Sequence, residues 1–113
     1  MSNLFEESFK KIKRHTILDL SDWNTSNVTN MSCMFEGCGN LLELNISGWD
    51  TSNVIDMSRM FFKCGYLTKL DLSDWNTSNV TDMRNMFYAC YYLKELNISN
   101  WDTSKVTSML GLF

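Results

Sequence analysis

Proline is absent from this chain of 113 residues, and alanine and histidine occur once each, as Ala89 and His15. A single imidazole removes most acid–base and metal chemistry. No run approaches the roughly 18 apolar residues of a membrane-spanning helix. The first residues, MSNLFEESFKKIKRHT, carry charges where a signal peptide would need an apolar stretch. The cytoplasm is therefore the expected location. There is no basic excess either: 13 acidic residues face 10 basic ones, a formal net charge of −3. A general nucleic-acid binder needs a basic footprint, so that class is disfavoured. The four cysteines form no Cys-x-x-Cys pair, and no glycine-rich phosphate loop occurs.

What is present suffices for one small folded domain. Apolar residues make up 44% of the chain and charged residues 20%, outside the range of disordered chains. Asparagine is abundant, and Asn, Lys, Ile, Phe, Tyr and Met are common, the signature of a low-GC genome, bacterial or phage.

The dominant feature is an internal repeat. Trp23, Trp49, Trp75 and Trp101 are spaced by 26 residues, and the unit starting at Leu18 returns at Leu44, Leu70 and, incompletely, Leu96. Two methionine columns share that period, Met31/Met57/Met83/Met109 and Met34/Met60/Met86/Leu112. Val28/Val54/Val80/Val106, Phe35/Phe61/Phe87/Phe113, Cys38/Cys64/Cys90 and Leu41/Leu67/Leu93 do the same. A residue that recurs once per unit and is always apolar belongs to an interior ladder. One unit cannot bury its apolar face alone, so copies must stack.

Within a unit, Leu-Asp-Leu or Leu-Asn-Ile alternates apolar and polar residues and predicts a short strand with its middle residue outward. Stacked copies make a parallel sheet. The Asp/Asn-Thr-Ser-Asn run predicts a turn, since these side chains bond local backbone. Val54, Met57, Met60 and Phe61 follow at spacings that predict a short helical or 3₁₀ segment. Acid and amide alternate along Asp19/Asn45/Asp71/Asn97 and, in opposite phase, along Asn24/Asp50/Asn76/Asp102. At about 4.8 Å between strands, an amide between two carboxylates dilutes their repulsion.

The skeleton MxxMFxxCxxLxxLxLSxWxTSNV resembles the 26-residue bacterial surface-protein repeat of the BspA-like leucine-rich repeats. Cys38-x-x-Leu41-x-x-Leu44-x-Ile46 matches the strand-entering part, and Trp49-Asp50-Thr51-Ser52-Asn53-Val54 the most distinctive run. The resemblance implies a right-handed, leucine-rich-repeat-like solenoid with a sheet on one side, no enzyme activity and a role in protein binding. The expected fold is thus a repeat solenoid over residues 17–113, with a capping helix in residues 1–16. Asn3 and Glu6 form a capping-box pattern there, Leu4, Phe5, Phe9 and Ile12 line one face, and Lys10, Lys11, Lys13 and Arg14 end the helix.

Function is best sought where copies disagree. Glu36/Phe62/Tyr88, Gly39/Gly65/Tyr91 and Asn40/Tyr66/Tyr92 drift from small or polar residues to aromatic ones. Phe62, Tyr66, Tyr88, Tyr91 and Tyr92 are therefore the first candidate partner-binding residues. The strand face, Glu43, Asn45, Lys69, Asp71, Glu95 and Asn97, is the second. Met109, Leu110, Leu112 and Phe113 end the chain in mid-unit, which suggests self-association as a homodimer. Catalytic residues, metal, cofactor, small-molecule substrate and membrane are not expected. The leading function is a non-enzymatic protein-binding module. Two other readings are a small phage-type inhibitor of a host defence effector, such as a CRISPR nuclease, and a fragment of a surface adhesin.

Overall fold

The computed structural model describes residues 16–113. Four strands, β1 (Thr16–Asp19), β2 (Leu41–Asn45), β3 (Lys69–Asp71) and β4 (Glu95–Asn97), form one sheet in chain order. Each neighbouring pair is parallel. The register is set by the repeat: Ile17 pairs with Glu43, Glu43 with Lys69 and Lys69 with Glu95, each 26 residues on. A bulge between Thr16 and Ile17 shifts the first pair. A second line of pairing joins Asn30 to Asp56, Asp56 to Asp82 and Asp82 to Ser108.

Most of the columns legible in the sequence form one hydrophobic core, but their end members Trp23, Met109 and Phe113, expected inside, are exposed because no further unit covers them among the described residues. Met31, Met34, Phe35, Met57, Met60, Phe61, Met83 and Met86 are fully buried. Phe35, Phe61, Phe87 and Phe113 stack in series with centroids 5.6–5.7 Å apart. Trp23, Trp49 and Trp75 do the same at 6.2–6.3 Å. Indole N–H groups need an acceptor once buried. Those of Trp49, Trp75 and Trp101 donate to the carbonyls of Leu20, Ile46 and Leu72 in the preceding unit. The threonine column is an unforeseen part of the interior. Thr25, Thr51 and Thr77 are buried, and each hydroxyl donates to a backbone carbonyl of the following unit, Asp50, Asn76 and Asp102 respectively.

Turns form where the Asx-rich runs predict them. Asp19, Asn45, Asp71 and Asn97 each accept from the N–H of the serine two residues on. Asn24, Asp50, Asn76 and Asp102 repeat the device after each tryptophan. The segment expected to be helical or 3₁₀ is not. An α-helix sends successive N–H groups to the i−4 carbonyl, and a 3₁₀ helix to i−3. Here the donors alternate. Met57, Arg59, Phe61 and Lys63 donate to Asp82, Arg84, Met86 and Tyr88 in the next unit. Met60, Phe62 and Cys64, between them, donate back to Met57, Arg59 and Phe61. The change of direction requires left-handed backbone, and Arg59 and Lys63 have φ of 57° and 61°. Among the described residues there is no helix. The N-terminal capping helix expected in residues 1–16 lies, up to His15, outside the described residues, and Thr16 opens β1.

Candidate functional site

The loop after each buried phenylalanine displays the divergent columns. In units two and three these loops bring together the five aromatic residues singled out in the sequence. Phe62 stacks on Tyr88 with centroids 5.4 Å apart and planes 15° from parallel. Tyr66 stacks on Tyr92 at 5.4 Å and 6°. Both pairs follow from the 26-residue register, which sets equivalent side chains side by side. Tyr91 is separate from the two pairs. A β-carbon at Gly65 would stand 3.9 Å from its ring, so the glycine leaves that ring room over unit two. Phe62 is half-buried, while Tyr66, Tyr88, Tyr92 and Tyr91 are 41, 46, 54 and 83% exposed. An outward-facing group of this size on one loop surface is uncommon, since large rings supply most of a core's burial energy.

Sequence reasoning missed the cations that accompany these rings. The Arg59 guanidinium lies 4.2 Å from the centre of Phe62, and the Lys63 ammonium 5.3 Å from it. Arg59 also forms an ion pair with Glu36 of the preceding unit. The signal was available, because both cations stand in the same divergent loop as Phe62. What hid them is that charged residues on a turn look like ordinary solvated surface. Lys94, at the far side of the patch, lines a shallow depression with Tyr88, Tyr91 and Phe113.

The strand face is a second surface. Glu43, Lys69 and Glu95 form one outward column, and Asn45, Asp71 and Asn97 another, all lining an open groove of about 860 Å³. Lys69 and Glu43 approach to 3.5 Å. Asp19 and Asp71 are held below the ordinary carboxylate range by the hydroxyl and N–H of Ser21 and Ser73. The amide of Asn45 adds to this at Asp19, as expected for an amide beside a carboxylate.

Met109, Leu110 and Phe113 are exposed, and Leu112 is partly buried against the core. Cys64 and Cys90 are held as thiols rather than thiolates. Burial pushes the Cys64 thiol well up and that of Cys90 to about 11. Their Sγ atoms contact the carbonyls of Phe35 and Phe61. Among the described residues, no three His, Cys, Asp or Glu side chains cluster as metal ligands would. No helix among them is long and apolar enough to cross a membrane.

No curated protein and no solved structure matches the chain. The family model described as Mycoplasma protein of unknown function, DUF285, matches residues 1–113. That match runs the full length of the sequence, and the chain belongs to the DUF285 family.

Proposed function

We propose that this chain is a non-enzymatic protein-binding module built on a right-handed, leucine-rich-repeat-like solenoid. The solenoid reading is supported by the 26-residue register of the parallel strands and by ring stacks that repeat at the same interval. The BspA-like repeat motif supports the leucine-rich-repeat class. The binding reading is carried by the exposed aromatic group Phe62, Tyr66, Tyr88, Tyr91 and Tyr92. Tyrosine is favoured in binding hot spots because it is large and stiff and has a polar tip.

The test is comparative capture from the native host. The chain and a variant carrying Tyr88→Ser, Tyr91→Ser and Tyr92→Ser serve as baits, with circular dichroism checking that both fold. A partner retained by the first and lost by the second is the expected result. Equal recovery by both removes the aromatic group from the reading. Self-association through Met109, Leu110, Leu112 and Phe113 is a second reading, favoured by the exposure of Met109, Leu110 and Phe113. It requires a concentration-dependent mass in sedimentation equilibrium that Leu110→Ser abolishes.

A further inference from the structure

We propose that the aromatic surface of units two and three takes an acidic peptide segment of its partner. This rests on the binding reading above and names the chemistry of the occupant. Two observations carry it.

The first is charge segregation. The three loops at 32–42, 58–68 and 84–94 hold four basic residues, Arg59, Lys63, Arg84 and Lys94, against one acidic residue, Glu36. The rest of residues 16–113 holds ten acidic residues and two basic ones, Lys69 and Lys105. Arg84 is taken up by Asp82, just outside its loop, which leaves Lys63 beside Phe62 and Lys94 beside Tyr88 and Tyr91 as the cations of the ring surface. The one carboxylate there is already matched by Arg59.

The second is the direction of the rings. Phe62 with Tyr88, and Tyr66 with Tyr92, are stacked, so each ring gives a face to its neighbour. The faces turned toward each other are closed to a ligand, while edges and hydroxyls are among the parts left exposed. Aromatic edges carry the positive end of the ring quadrupole, and a phenol donates readily to a carboxylate. Edges, hydroxyls and ammonium groups all seek acceptors.

Fluorescence anisotropy with a labelled peptide of alternating Glu and Ser provides the test, beside the matching Gln and Ser peptide and a labelled oligouridylate. The Glu peptide should bind, with affinity falling as salt rises. The Gln peptide should bind about tenfold more weakly, and the Lys63→Gln/Lys94→Gln variant should lose a similar factor for the Glu peptide. A Lys69→Gln/Lys105→Gln variant, altered outside the three loops, should bind the Glu peptide as well as the unaltered chain does. Equal affinity for both peptides, loss of binding in both lysine variants alike, or tighter binding of oligouridylate than of the Glu peptide overturns the proposal. Those outcomes leave the module reading intact if Tyr88→Ser/Tyr91→Ser/Tyr92→Ser still loses a captured partner. Equal capture by that variant removes the reading itself.

Discussion

The residue positions under most strain are the left-handed ones, and they recur with the period of the sequence. One column is Cys33, Arg59, Asn85 and Gly111, with φ from 56° to 67°. The other is Gly37, Lys63 and Ala89, from 61° to 73°. A non-glycine residue there costs about 1–2 kcal/mol. Glycine relieves that strain but loses about 0.5–1 kcal/mol to its freedom in the unfolded chain. Ala89→Gly should therefore raise stability by about 0.5–1 kcal/mol, measured as a higher urea midpoint with unchanged slope. Gly111→Ala runs the other way. Its β-carbon would collide with the Asn85 amide, at a φ of +67°, so the midpoint should fall. The Trp, Met and Phe ladders were legible in the sequence because each column repeats one residue type. The left-handed columns were not, because one mixes Cys, Arg, Asn and Gly and the other Gly, Lys and Ala, and only a shared backbone geometry unites each. Trp75 shows how much a legible position can carry. It is 2% exposed and donates to Ile46. Trp75→Phe removes that bond, leaving the Ile46 carbonyl to the Trp49 N–H alone, and opens a void, and should cost about 2–4 kcal/mol.

At the scale of elements, the chain turns by Asx bonds rather than by glycine or proline. Asp50, Asp71 and Asp102 each accept from the serine two residues on, and these bonds hold their carboxyls below the ordinary range. At Asp82 burial works upward, but the bonds and charge of Arg84 outweigh it. A carboxyl whose pKa is depressed by folding releases its proton more readily when folded. Its contribution is complete above the unfolded value of about 4 and disappears as pH falls through the lower folded value. The urea midpoint should accordingly stay flat from about pH 7 to about pH 5 and drop below about pH 4. Asp71→Asn keeps the oxygen acceptor without the titration, so it should flatten part of that drop. An identical acid limb in the variant would exclude Asp71 from it. The turn residues were legible because Asx and serine act on their own backbone. The absence of a helix after Val54 was not, because the apolar spacing of Val54, Met57, Met60 and Phe61 suits a helix equally well. Only the alternation of donors between the next unit and the i−3 carbonyl separates the two, and that depends on having a neighbour.

The molecule as a whole behaves according to where its bonds go. Unit two receives N–H groups from Met31, Cys33, Phe35 and Gly37 of unit one, and gives those of Met57, Arg59, Phe61 and Lys63 to unit three. Indole and threonine bonds cross the same boundaries. Its buried side chains belong to one continuous core. Stability in such an array is the sum of weak units and strong interfaces, so a short array melts as one body when interfaces dominate. Met60 lies fully buried in the second unit, against neighbours on both sides. Met60→Ala should cost about 2–5 kcal/mol. Because the interfaces transmit that loss, the variant should still unfold in one transition, at the same urea midpoint by tryptophan fluorescence and by far-ultraviolet circular dichroism. The four tryptophans sit one to each unit and report on the whole length. Two separated fluorescence steps in Met60→Ala would mean that the units hold themselves up singly. The cross-unit hydrogen bonds would then be a consequence of the fold rather than its cause.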